Sequence, residues 1–441
     1  MKILVFIFLI YEIGLANHYI DPINGNDKKA GTISAPWKHI SFATCGGSYG
    51  CSCTVKNLRK VTGDTIYLRS GTYYEHGIQI VNSGTETNPI VIKPYHGETV
   101  TIDGSSTTWG VFDIGDSYGA DWIIFDSLKI INAYKAGIVL GGNTGHSDHI
   151  TIKNCRFENT KWNDNTGSIA VYGYSHDITI FNCVIVGSGE TNGNYCGIQI
   201  FRGNGSVSIL NCDISNCSKG IYYKHCSIPD SVNTIIQNNF IHDNKTCGIS
   251  ISSNRCKITN NLIINNHVAN DGAGIEVWGD AGGTGGSKSR IEHNTVYNHR
   301  YTIQISCGGQ LDANTGEHGA CHDTIKNNIL FGFQEEMGSF AIWSDPQPQN
   351  DSLHNTKSLY NLYYNLETNK VIREFGETYT LFEWKEKYPR RDSGSIQEKP
   401  IFANKSGRLN SINDFEITGG RAKGGASDGT DIGANVLLFR R

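Results

Sequence analysis

Seven times between residues 150 and 331 the chain restates one phrase: ITIKNCRF from 150, ITIFNCVI from 178, VSILNCDI from 207, TIIQNNFI from 234, CKITNNLI from 256, RIEHNTVY from 290 and TIKNNILF from 324. Cys155, Cys183 and Cys212 recur at the interval of one solenoid turn. A second phrase falls inside the same units: AGIVL from 136, GSIAV from 167, CGIQI from 196, KGIYY from 219, CGISI from 247, AGIEV from 273 and YTIQI from 301. Both alternate with period two, are rich in Ile, Val and Thr, and lack proline, which marks strands and not helices. Strands this short bury an apolar edge only by stacking on copies of themselves. The expected fold is all-β, a parallel β-helix whose coils rise by about 4.8 Å, the ordinary spacing between strands.

The asparagines fit that reading. Asn154, Asn182, Asn211, Asn239, Asn261, Asn294 and Asn328 read as one column at the end of a strand, where a tight corner needs a residue tolerant of left-handed geometry. Stacked, their amides form a hydrogen-bonded ladder along the axis. Cys155, Cys183 and Cys212 come next in register as a buried stack of thiols.

Charge and termini narrow the function. A net charge of −4 gives no basic far field, so neither nucleic acid nor a membrane surface is an expected partner. MKILVFIFLIYEIGLA, residues 1–16, reads as a signal peptide cut after Ala16, its apolar run too short to span a bilayer. The mature chain from residue 17 is expected to be secreted or periplasmic, without a membrane span, and monomeric. Thirteen cysteines suit an oxidising compartment. Cys307 with Cys321, and a pair among Cys45, Cys51 and Cys53, are candidate disulfides; His318, Cys321 and His322 also have the composition of a metal cluster.

Segments at both ends carry a resemblance. YIDPINGNDKKAGTISAPWKHISFA (19–43), GDTIYLRSGTYYE (63–75) and NPIVIKPYHGETVTIDGS (88–105) resemble the N-terminal cap and first coils of right-handed β-helix proteins of the polysaccharide-lyase type, most nearly the family 9 pectate-lyase-like group. KPIFAN (399–404), DFEITGG (414–420) and DGTDIGAN (428–435) resemble the closing segment of those chains. The resemblance implies a single right-handed parallel β-helix of about ten coils. Cap and first coils would occupy 17–105, central coils 106–345, and an insertion with the closing segment 346–441. TLFEWKEKYP (380–389) reads as a short helix there. The resemblance also implies calcium held by aspartates and a lysine acting as base. The family's Asp-Asp-Gly type motif is missing, and WNDNTG (162–167) and ANDGAG (269–274) are the nearest segments.

If the isoleucines of the G-I-x-I strand point inward, the x residues and those two further on face out. Middle coils then present Phe201, Tyr222 and Trp278 as flat faces for sugar rings, with Gln199 and Gln304 as polar partners. A cleft along this face suits an extended polysaccharide. On a uronate polymer the expected reaction is β-elimination, in which a base takes the C5 proton while a positive group neutralises the carboxylate. Lys224 is the candidate base, with Arg202 or His225 as the carboxylate's partner. Glu190, Asp243 and Asp271, from separate loops, are candidate calcium ligands. A glycoside hydrolase or epimerase would instead use Glu276 with Asp271 or Asp280, and a glycan-binding adhesin would need the aromatic residues alone. GDAGGTGGSKS (279–289) reads as a wall of the cleft, and sequons stand at Asn204, Asn216, Asn244, Asn350 and Asn404.

Overall fold

A computed structural model of the chain describes residues 17–45, 63–105, 110–114, 119–142, 145–160, 165–173, 175–188, 195–201, 206–224, 234–252, 255–266, 272–278, 288–306, 323–333, 340–343, 356–374, 377–389, 392–404 and 409–439. From Thr65–Leu68 to Ile372–Glu374 the strands fall into eleven consecutive triplets, each giving one strand to each of three long sheets. Sheet 1 has thirteen strands, from Asn17–Ile20 to Asp392–Ser393; sheet 2 has twelve, from Gly71–Tyr73 to Ile396–Gln397. Sheet 3 also has twelve, from Ile78–Gln79 to Glu377–Tyr379, and only this last strand pairs antiparallel. The chain passes through sheets 1, 2 and 3 in turn and begins the next coil. This is a right-handed parallel β-helix, with eleven complete coils among the described residues where about ten were expected.

Alternation places identical residues over one another. Ile152, Ile180, Ile209, Ile236, Ile258, Ile291 and Ile325 are in register along sheet 1, and all are fully buried. Sheet 3 supplies the facing column through Ile169, Ile198, Ile221, Ile249, Ile275 and Ile303. Each such side chain contributes about 1.5–3 kcal/mol of transfer free energy. The core is therefore a continuous rod of branched aliphatics.

The single asparagine column of the sequence reading divides into two. Asn154, Asn182 and Asn211 have φ of 55°, 56° and 54°, and their column continues through Asn238, Asn260, His293 and Asn327. These are the left-handed corners between sheets 1 and 2. Asn239, Asn261, Asn294 and Asn328 lie one position further on, in register with Cys212 and inside the core. There Asn239 Oδ1 accepts from the Cys212 N–H at 2.8 Å, Asn261 Oδ1 from Asn239 at 3.0 Å, and Asn294 Oδ1 from Asn261 at 2.9 Å. The ladder runs on through Asn328 and Asn361 to Ser395. An αL corner tolerates asparagine for its backbone, whereas an interior position needs its amide, and the NN dipeptides hold both roles side by side. A second interior ladder joins Cys217, Asn244, Asn266 and His299 at the corner between sheets 2 and 3. It leaves Asn244, one of the sequons, fully buried.

Both ends of the rod are plugged. The helix Ile40–Cys45, preceded by Trp37, buries Ile40 and Ala43 at the first coils, and the helix Leu381–Lys387 buries Leu381 and Trp384 at the last. The expected C-terminal helix is thus present, started by a capping box in which Thr380 and Glu383 exchange side-chain-to-backbone bonds. The closing segment does more than end the solenoid. Phe402, Phe415, Ile417 and Val436 cover Leu262, Tyr297 and Phe331 on the outside of sheet 2. Gly433 and Ala434 N–H groups donate to Asn327 O and Thr295 Oγ1 at 2.8 and 2.9 Å, and the Asn435 N–H to Asn260 Oδ1 at 2.6 Å. Cys155, Cys183, Cys196, Cys212, Cys217, Cys247 and Cys256 are buried thiols that form no disulfide. The cysteine pairs proposed from sequence, and His318 with His322, lie outside the described residues or side chains.

Two stability measurements follow from these positions. Asn154→Gly keeps a left-handed corner and is expected to shift the unfolding free energy by less than about 1 kcal/mol. Asn294→Ala orphans the Asn261 N–H inside the core and should cost about 2–4 kcal/mol in the same denaturant titration. The second concerns Asp323, which is fully buried. Burial pushes its carboxyl well above the usual range, against a bond from the Ser289 N–H at 2.8 Å. A raised folded-state pKa makes its contribution greatest below the unfolded value of about 3.9, and that contribution is lost as the pH rises toward the folded value. Asp323→Asn keeps the acceptor without the charge. Its melting temperature should exceed wild type at pH 8 by about 2–4 °C and converge with it near pH 4.

Candidate functional site

The outward face of sheet 3 does not follow strict alternation. A Cβ on Gly220 would lie 2.7 Å from Ile241 Cγ2 and 3.1 Å from the Asn244 amide nitrogen, so this glycine faces the core, as does Ile221 after it. Gly248 repeats the arrangement against Ile263, and Gly274 against Val296. Two successive inward positions return the residue before the glycine to the outer face. An extra outward column results, made of Cys196, Lys219, Cys247, Ala273 and Tyr301 in register. Glycine is required because the facing aliphatic leaves no room for a methyl group.

Lys219 is the residue of this face that alternation alone does not place there. Its Nζ sits 4.3 Å from the centre of the Tyr222 ring, 3.3 Å from Ser250 Oγ and 3.6 Å from Glu276 Oε2. Ser250 in turn donates to Glu276 Oε2 at 2.6 Å and accepts from Trp278 Nε1 at 3.0 Å. The Trp278 and Tyr222 rings lie within 22° of parallel, centroids 6.2 Å apart. Lys224 Nζ stands 5.5 Å from the same Tyr222 ring. Three neighbouring coils thus place two ammonium groups, a carboxylate, a hydroxyl and an indole around one tyrosine. The Gly that precedes each inward Ile was the available sequence signal for Lys219.

The sequence-predicted residues fare differently. Tyr222 was expected to be an open platform for a sugar ring; it is 3% exposed, because lysine side chains and Trp278 occupy its surroundings. Burial, with the nearby Cys196 thiol and Glu276 carboxylate, raises its phenol well above the ordinary value. Phe201 is in register with Lys224 and half-buried, packed edge-on to Tyr172. Trp278, Glu276, Gln304 and Lys224 are likewise half-buried, with Gln304 beside Glu276 in the next coil. Gln199 is fully buried, and neither of its amide atoms has a hydrogen-bond partner. Burial raises the Cys196 and Cys247 thiols, which are therefore packing groups and not nucleophiles.

Arg202, His225, Glu190, Asp271 and Asp280 lie outside the described residues. Asp243 sits at a left-handed corner before sheet 3, with its Oδ2 2.7 Å from the ring of His242. Burial alone would lower the His242 pKa, but hydrogen bonds to Asp213 and Asp243 overcome it and raise the value. Among the described residues no three carboxylates converge as a calcium site requires. Asp243 is already committed to the imidazole, and Glu276 to Ser250 and Lys219.

A family model for a right-handed β-helix region matches residues 109–284 and 191–318. Over 162 residues the chain is 32% identical to the pectate lyase PEL9 of Emericella nidulans, an alignment covering 34% of this chain and 36% of that enzyme. The chain therefore spans little more than a third of that relative's length. The uncharacterized protein YwoF of Bacillus subtilis is 26% identical over 345 residues, covering 71% of this chain and 68% of that one. Among solved structures, pectate lyase Pel9A superposes with a TM-score of 0.48 at 14% identity, over 79% of this chain and 80% of that chain. With three stacked parallel sheets and a match to the right-handed β-helix family model, the chain is a right-handed parallel β-helix protein whose sequence is similar, over 34% of its length, to a pectate lyase.

Proposed function

We propose that the protein is an exported lyase that cleaves an acidic, uronate-containing polysaccharide by β-elimination on the outer face of sheet 3. The observation that carries this reading is the pair of lysines, Lys219 and Lys224, on one tyrosine between Phe201 and Trp278. Elimination needs a base for the C5 proton and a cation for the adjacent carboxylate; of two lysines on one face, one would take the proton as a neutral amine while the other, as an ammonium, pairs with the carboxylate. Lys224 is assigned as the base. Lys219, anchored by Ser250 and Glu276, is assigned to the uronate carboxylate, the role expected from sequence of Arg202 or His225. As the proton leaves C5, the C4–O bond breaks, a C4=C5 double bond forms, and the departing oxygen is protonated from solvent. Trp278 and Phe201 would hold flanking sugar rings.

The similarity to a pectate lyase supports the substrate class, and residues 1–16 support export. Calcium enters no step here, since the candidate ligands Glu190 and Asp271 lie outside the described residues. The test is the appearance of unsaturated ends by ultraviolet absorbance on pectate, alginate and glycosaminoglycans, with and without chelator. New reducing ends without that absorbance would favour hydrolysis through Glu276; glycan retention without either signal would favour an adhesin.

Lys224→Ala is expected to lower kcat by about 100-fold or more while leaving the far-ultraviolet spectrum unchanged. Trp278→Ala should raise KM by up to about 10-fold with a smaller effect on kcat, as loss of ring stacking predicts. Full lyase activity in Lys224→Ala would refute the base assignment.

A further inference from the structure

Another cluster, outside the lysine site, lies where the chain leaves sheet 3 and enters sheet 1. His149 and Asp177 are the last residues before the strands Ile150–Lys153 and Ile178–Phe181, one coil apart, with φ of 57° and 54°. The rise of the solenoid brings their side chains together. His149 Nδ1 and His176 Nδ1 stand 3.4 and 3.1 Å from one carboxylate oxygen, Asp177 Oδ2. We infer that this corner binds a first-row divalent metal of the zinc class through His149, His176 and Asp177.

Three observations carry the inference. Metal-ligand bonds of about 2.0–2.2 Å in a tetrahedral site put neighbouring ligand atoms about 3.3–3.5 Å apart; the two His–Asp separations here fall at or just inside that edge, and all three donor atoms lie within 4.8 Å of one another. The donors are also fixed in place. The His149 ring stacks on Trp122 at 3.9 Å and 11°, and Ser206 donates its hydroxyl to the other oxygen of Asp177. Finally, the outer groups have the arrangement that metal-binding imidazoles use, the second ring nitrogen being paired with a carboxylate. His176 Nε2 stands 3.2 Å from Asp148 Oδ2, while Asp148 Oδ1 accepts from the His176 N–H at 2.9 Å. Asp148 is nearly buried, and His146 adds a further imidazole 3.5 Å from its Oδ2. His149, His176 and Asp177 remain open enough to solvent for an ion to enter and for water to complete its shell. Imidazole and carboxylate donors together select first-row divalent ions over calcium. A bound ion would join two successive coils at one corner.

The test is a cobalt(II) titration of the full-length protein after dialysis against chelator, with zinc(II) competition followed by calorimetry. One equivalent is expected, with d–d absorption, no thiolate charge-transfer band, and displacement by zinc. His149→Ala/His176→Ala should bind at least about 100-fold more weakly, and Asp148→Asn about 10–100-fold more weakly. Melting curves of the metal-free variants establish that each is folded. Should the double variant fail to fold, X-ray absorption on wild-type protein decides the ligand set. Absence of stoichiometric binding, a thiolate band, sulfur in the shell, or undiminished affinity in a folded double variant would each overturn the site.

Discussion

Everything in this molecule depends on hydrogen bonds that run parallel to its long axis. A single coil has no facing partner within itself for the N–H and C=O groups of its strands; they are satisfied only by the coils above and below. The same axial spacing then dictates the side chains, because whatever occupies a position meets its own equivalent about 4.8 Å away. Aliphatics stack into a rod, asparagines into ladders, and a charge in the interior would meet nothing able to neutralise it. The buried amide serves well here, having both a donor and an acceptor pointing along the stack.

That constraint also explains how variety enters. Corners held in the left-handed region carry Asn in most coils but also Ser127, Asp177, Arg255, His293 and Tyr360. Once the backbone turn is made, the side chain is released to solvent and to chemistry. The outer face of sheet 3 has a similar freedom, since its inward register is held mainly by Gly, Ile and Val. Lys219, Tyr222, Ser250, Glu276 and Trp278 therefore diverge from coil to coil while the strands beneath them remain alike.

The repeat made the fold legible because period-two alternation and interval both belong to backbone physics. The outward face was legible in part: Phe201, Lys224, Glu276, Trp278 and Gln304 were found by counting from the inward isoleucines. Lys219 was not, because counting by twos fails where a glycine and an isoleucine both turn inward. The asparagines misled for a related reason. In NN pairs the corner and the interior amide are adjacent, and composition does not say which role belongs to which residue; alignment of Cys155, Cys183 and Cys212 with the second Asn did hold that information. The burial of Tyr222 was beyond sequence, since it depends on side chains from three coils meeting above one ring.

The closing segment changes how such a rod responds to stress. In a simple solenoid each coil touches only its neighbours, so the ends fray and damage propagates one layer at a time. Residues 433–435 bond to Asn327, Thr295 and Asn260, which belong to three successive coils. Opening any one of these coils requires the strap to lift from the others as well. The C-terminal half is thereby tied into one cooperative block, a clamp laid along the length of a spring.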